Sequence, residues 1–173
     1  FTIPPPALTD TFPYADRIRK VTLQDLRRDA LLAKIYDNSY SGGLNWMQSA
    51  CFPAVYTTSQ NVLVCAPTGA GKTDVAVLAI LELLKRTTRA VDEPRAIAGP
   101  KNDRVVYVAP MKALATEIVG KFSKRLAPLG LRVRECTGDT QLSPRQLLQT
   151  DVLVTTPEKW DVLTRKASVT GEG

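Results

Sequence analysis

The chain has 173 residues, 44% of them apolar and 23% charged, with 23 Lys and Arg against 17 Asp and Glu and no histidine. That length suits one domain with a real core. The difference 23 − 17 leaves a net charge of +6, which suits a polyanionic partner without demonstrating one. The missing histidine excludes imidazole catalysis. Cys51, Cys65 and Cys136 are scattered among apolar neighbours, so they read as reduced core residues of an intracellular protein, and no zinc-type spacing occurs. The longest apolar stretch, Val75 to Leu84, is broken by Glu82 and too short to cross a membrane, and the Pro-rich start is no secretory signal.

Residues 1–20 lack periodicity and read as an arm for packing on something else. Thr22-Leu23-Gln24-Asp25 is a capping box predicting a helix to about Tyr36, with Leu23, Leu26, Ala30, Leu31 and Ile35 as its apolar side. A turn follows, from Asp37 to Gly43. A second helix is expected from Asn45, bent or ended by Pro53. We divide the chain into an N-terminal arm and helix, 1–43, and a domain, 44–173.

Residues 61–80, NVLVCAPTGAGKTDVAVLAI, are the most informative stretch. Val62-Leu63-Val64-Cys65 reads as a buried strand and Val75 to Leu84 as a helix. Between them Ala66, Pro67, Thr68, Gly69, Ala70, Gly71, Lys72 and Thr73 form a phosphate-binding loop of the Walker A type. Gly69 and Gly71 let the backbone curl round an anion without a Cβ in the way. The helix starting near Lys72 turns its free amides and positive dipole end toward phosphate. Lys72 adds a point charge, and the Thr73 hydroxyl is the expected Mg²⁺ ligand. A plain strand-to-helix turn has no need of Lys-Thr at this register.

Beyond a polar connector, 87–103, strands are predicted at Val105–Val108, Leu131–Cys136 and Asp151–Val154. Helices are expected at Ala113–Leu126, after the Ser143-Pro144 cap, and after Thr156-Pro157. Such alternation implies an α/β fold with a doubly wound parallel sheet. Lys121, Lys124 and Arg125 read as a solvated helix face. Three further clusters fall at strand-to-helix junctions: Ala109-Pro110-Met111-Lys112-Ala113-Leu114, Thr137-Gly138-Asp139, and Thr155-Thr156-Pro157-Glu158-Lys159-Trp160. Each alone is weak, and Trp160 reads as core.

In this order after APTGAGKT, these clusters resemble superfamily-two DExH-box helicases of the superkiller-type branch, from about Leu44 to Lys166. The wording of VYVAPMKALATE and LVTTPEKWDVLTRK is similar to the tandem-cassette helicases, those of ribosome quality control ahead of spliceosomal ones. The resemblance implies a RecA-like P-loop NTPase sheet, ATP and Mg²⁺ as cofactors, and an ATP-dependent RNA helicase as the parent. It implies Gln48 of LNWMQ as the residue reading adenine. It also implies nucleic-acid contacts by Pro110, Met111, Lys112, Thr137, Gly138, Thr156, Pro157, Glu158 and Lys159. Expected partners are single-stranded RNA or DNA, and proteins meeting the N-terminal arm. A cytoplasmic site is favoured over a nuclear one.

Cys136 and Thr140 depart from the family's usual Leu and Met as packing changes, and 87–103 looks like an insertion. No apolar run is followed by Asp-Glu; Asp92-Glu93 lies in the polar connector. Hydrolysis needs such a pair, one carboxylate on Mg²⁺ and one helping to activate water. The expectation is a sheet truncated before the Walker B strand, which holds nucleotide but does not turn it over alone and needs a longer parent or an associate to cover its edges. The alternative readings are a non-catalytic binding platform, and a small-molecule kinase or GTPase. The Gln48 element fits neither of the last two, and no Asn-Lys-x-Asp guanine motif occurs.

Overall fold

A computed structural model describes residues 18–36, 42–87 and 104–169, with side chains to Arg165. The chain divides into two compact units, Phe1–Arg86 and Thr87–Gly173. Residues 1–17 of the expected arm, 37–41 of the expected turn and 88–103 of the expected connector, with Asp92-Glu93, lie outside the described residues.

The first unit is helical. The Thr22–Asp25 capping box forms in both directions and opens α1, Leu23–Arg27. The single helix expected to Tyr36 is two, however, because the chain is re-capped at Asp29. That carboxylate takes the N–H groups of Leu31 and Leu32 and starts α2, Ala30–Ile35. A side chain offering local acceptors outcompetes helix continuation. Leu26, Leu31 and Ile35 are buried as expected, Leu32 joins them, and Ala30 faces solvent. Helix α3, Trp46–Tyr56, opens on a second capping box, Asn45 with Gln48. It runs on past Pro53 for another turn. Proline forfeits one helical bond, but Thr57 N–H and hydroxyl both return to the Pro53 carbonyl, and the Thr58 hydroxyl reaches Ala54 O at 2.6 Å. Helix α4, Lys72–Thr87, buries Val75, Val77, Leu78, Ile80, Leu81 and Leu84.

A further sequence expectation fails in this unit. Val62–Cys65 forms no strand; Leu63 is 89% exposed and Cys65 is exposed, so neither belongs to a core. All three strands among the described residues belong to the other unit.

In the second unit β1 (Val105–Val108), β2 (Val133–Cys136) and β3 (Val152–Thr155) make a parallel sheet in the order β1-β3-β2. The central strand β3 is buried throughout, as a strand covered on both faces should be. Helix α5, Lys112–Leu126, turns Ala115, Ile118, Phe122 and Leu126 inward, and Tyr107 meets Phe122 edge-on at 5.3 Å. Lys121 and Lys124 are exposed as expected, and Lys121 pairs with Glu117 at 2.5 Å; Arg125 is half-buried. A 3₁₀ turn, Ala127–Leu129, leads toward β2, and the short α6, Pro144–Leu148, toward β3. Helix α7, Pro157–Val169, follows β3. At the strand starts the buried Asp151 carboxylate accepts Arg132 N at 2.8 Å and Nε at 3.2 Å. At their ends Thr155 Oγ1 donates to the Cys136 carbonyl at 2.6 Å.

Candidate functional site

Each unit contributes candidate residues, and each set stands by itself. In the first unit, residues 66–71 lead directly into α4, whose first residue is Lys72. Gly69 has φ +83° and Gly71 φ +88°, the left-handed region where only glycine is at ease. Gly69 faces open space. At Gly71 a Cβ would collide with Gln48 Nε2 and stand 3.2 Å from Asn45 Nδ2. Steric need and backbone conformation therefore both require glycine at 71.

Asn45 and Gln48 do two jobs each. Locally they cap α3: Asn45 Oδ1 accepts Gln48 N–H at 2.8 Å, and Gln48 Oε1 accepts Asn45 N–H at 2.9 Å. At long range Asn45 Nδ2 donates to the Ala70 carbonyl at 2.9 Å. Gln48 Nε2 donates to the Gly71 carbonyl at 3.2 Å and to Asp74 Oδ2 at 3.1 Å. Both amide hydrogens of the buried Gln48 are thus engaged with the loop and the first turn of α4, not turned outward. Lys72 Nζ folds back to donate to the Ala66 and Pro67 carbonyls, at 2.6 and 2.8 Å. Pro67, Thr68, Gly69 and Lys72 are exposed; Ala66, Ala70, Gly71 and Thr73 are half-buried. Asn45 escaped the sequence reading except as a helix start, because its second partner lies 25 residues away.

In the second unit the parallel register aligns Val108, Thr155 and Cys136. The three junction clusters therefore emerge at one edge of one sheet. Pro110, Met111 and Lys112 are exposed, and Met111, the N-cap of α5, makes no side-chain capping bond. Lys112 pairs with Asp139. Thr137 is fully buried, its hydroxyl donating to Glu135 Oε1 at 2.8 Å, while Thr116 donates to Glu135 Oε2 at 3.0 Å. Gly138 and Asp139 form the exposed part of that element. Thr156 is buried, Lys159 half-buried, and Pro157 and Glu158 face solvent. Trp160 is 36% exposed, so it is not the core residue expected of it. It stands one turn into α7.

Fold and loop together define a P-loop α/β nucleotide-binding protein of the RecA-like type. The family model described as DEAD/DEAH box helicase matches residues 45–171. The chain belongs to that family. It is 54% identical over 125 residues, 72% of its length, to the RQC trigger complex helicase SLH1 of Saccharomyces cerevisiae. It is 52% identical over 124 residues, again 72%, to activating signal cointegrator 1 complex subunit 3 of Danio rerio. A spliceosomal relative, pre-mRNA-splicing factor brr2 of Schizosaccharomyces pombe, is 50% identical over 125 residues, also 72%. The chain spans only 6%, 8% and 6% of those proteins. Among solved structures the yeast DEAD-box splicing factor Prp28 superimposes with a TM-score of 0.62 at 22% identity, over 83% of this chain and 33% of that one. That likeness supports the fold.

Proposed function

We propose that the chain carries the nucleotide-binding part of an ATP-dependent RNA helicase that moves 3′ to 5′ along a single strand. The observation that carries this reading is the loop 66–71, which enters α4 through two left-handed glycines and delivers Lys72 and Thr73 to the helix start. The positive end of a helix dipole and a lysine at a helix N-terminus fit a polyphosphate. In this reading Ala66 to Thr73 hold the phosphates, with Lys72 leaving the Ala66 and Pro67 carbonyls to do so. Thr73 holds Mg²⁺, and Gln48 contributes to the adenine end by exchanging part of its loop bonding. ATP would supply the driving energy, and these residues bind and orient it.

The edge of the sheet in the second unit is the nucleic-acid side. Pro110, Met111, Lys112, Thr137, Gly138, Thr156, Pro157, Glu158 and Lys159 would offer mainly backbone N–H groups and two cations, contacts that grip phosphate irrespective of sequence. Residues 44–173 form the domain that does this, with 1–43 as an arm open to protein partners of a larger assembly. The name of one relative, an RQC trigger complex helicase, supports ribosome quality control as its setting, with a cytoplasmic place of work, and splicing is the rival setting. A DNA strand as the track is the alternative substrate.

No apolar run followed by Asp-Glu occurs in these 173 residues, so we infer that they hold nucleotide without turning it over by themselves. Titration of the full-length protein with Mg·ADP tests the site: binding should be saturable and lost in Lys72→Ala. Binding that ignores Lys72, or none at all, would leave a non-catalytic platform as the better description.

A further inference from the structure

We infer that Asn45 is a positioning residue for the phosphate loop, and that nucleotide affinity depends on its side-chain amide as well as on the loop itself. The inference rests on the loop being the nucleotide site. A loop that cradles an anion must aim its N–H groups inward, so the carbonyls between them must point outward and find donors there. Two consecutive loop carbonyls, Ala70 and Gly71, are met by two side-chain amides from one helix turn, Asn45 Nδ2 at 2.9 Å and Gln48 Nε2 at 3.2 Å.

The amide orientations are over-determined. Asn45 Oδ1 is committed to the Gln48 N–H at 2.8 Å and Gln48 Oε1 to the Asn45 N–H at 2.9 Å, so each nitrogen can only face the loop. The capping box therefore does more than start α3: its reciprocal bonds lock both amides toward residues 70 and 71. Gly71 completes the fit, since any Cβ there would strike Gln48 Nε2 and crowd Asn45 Nδ2 at 3.2 Å.

Capping and clamping separate cleanly by substitution. Asn45→Ser and Asn45→Asp both preserve a good helix cap. Serine is too short to reach Ala70, and aspartate turns an acceptor toward an acceptor. In the full-length protein we expect Asn45→Ser to keep the thermal midpoint within a few degrees of wild type. Its Mg·ADP dissociation constant should rise about five- to tenfold, the loss of one hydrogen bond to a loop carbonyl. Asn45→Asp should weaken binding further. Weaker Mg·ADP binding at an unchanged thermal midpoint is an outcome that a general loss of structure does not produce.

Wild-type Mg·ADP affinity in Asn45→Ser and Asn45→Asp, beside a Lys72→Ala variant that has lost it, would overturn the role of Asn45 and leave the nucleotide site standing. Mg·ADP binding indifferent to Lys72→Ala would overturn both. Should Asn45→Ser melt well below wild type, Asn45→Asp at matched stability decides between clamp and cap.

Discussion

The side-chain nitrogen of Gln48 lies 3.2 Å from the Gly71 carbonyl oxygen, on the side of Gly71 where any other residue would carry its Cβ. The two glycines of the loop share a left-handed conformation, yet only one is crowded. Alanine at either position has to accept a conformation disfavoured by about 1–2 kcal/mol. At Gly69, where nothing lies within 4 Å, that is the whole penalty. At Gly71 the new methyl must also displace Gln48, which breaks its bonds to Gly71 and Asp74. Gly71→Ala should therefore lower the urea unfolding free energy by roughly 1–2 kcal/mol more than Gly69→Ala and weaken Mg·ADP binding more severely. Equal effects of the two variants would refute the steric role of Gln48.

The Asp29 carboxylate serves four partners in the first unit. It caps α2 through Leu31 and Leu32, accepts the Tyr56 hydroxyl at 2.8 Å, and pairs with Lys85 at 3.3 Å, whose ammonium also sits 4.8 Å from the Tyr56 ring centre. Burial pushes its pKa up, but the bonds from Tyr56, Leu32, Leu31 and Lys85 outweigh it and hold the group below the usual 3.8. Burial and then the Asp29 carboxylate push the Tyr56 phenol far above its usual range. A depressed folded-state value stabilises the protein above the unfolded value and is lost as pH falls through the folded one. Stability should thus decline below about pH 4, and Asp29→Asn should flatten part of that decline. Asp25 is likewise lowered, first by the Thr22 backbone N–H, and accounts for some of the remainder. Asp29→Ala, losing the cap and stranding Tyr56, should cost about 2–4 kcal/mol at pH 7 by urea unfolding. A loss under about 0.5 kcal/mol, the usual span of a surface change, would contradict this account.

What was legible in the sequence was local or strongly periodic. Thr22 with Asp25 announced a helix start because a cap and its partner lie three residues apart, and Asn45 and the Ser143-Pro144 cap marked two more. Val152 to Val154 announced a strand because a strand covered on both faces is continuously apolar. The break at Asp29 was hidden because its cap on Leu31 and Leu32 interrupts an otherwise continuous apolar periodicity, and its further partners, Tyr56 and Lys85, are 27 and 56 residues away. Pro53 misled because the return bonds from Thr57 and Thr58 are invisible in a propensity argument. Val62–Cys65 had the composition of a strand, but a strand exists only where another strand pairs with it. The loop residues themselves were read correctly as a loop into a helix, whereas the second bond of Asn45 needed coordinates.

Exposure of that run has a chemical consequence. Cys65 is exposed, Cys51 half-buried and Cys136 buried, and burial raises the Cys51 pKa. Thiolate fraction and access together set the rate of alkylation. A maleimide should modify one thiol quickly, a second slowly and the third only on unfolding. Cys65→Ser should remove the fast phase alone. A fast phase that persists in Cys65→Ser would mean that this segment is packed, as its composition suggests.

The sheet edge of the second unit makes a quantitative prediction about RNA. Lys112 at the start of α5 and Lys159 in the first turn of α7 are its cations, and Lys112 is shared with Asp139. Contacts to two to four phosphates of a single strand give a slope of log affinity against log salt of roughly −1.4 to −2.8. Removing either lysine should shallow the slope by about 0.7 and weaken binding to all sequences alike. Asp139→Asn releases Lys112 from an exposed ion pair, itself worth at most about 1 kcal/mol. It should tighten RNA binding severalfold at low salt, and the gain should vanish in Lys112→Ala. Fluorescence anisotropy with a short labelled oligonucleotide across a salt series measures all four variants together. A slope near zero, or tightening by Asp139→Asn that survives without Lys112, would place the nucleic-acid track elsewhere on the protein.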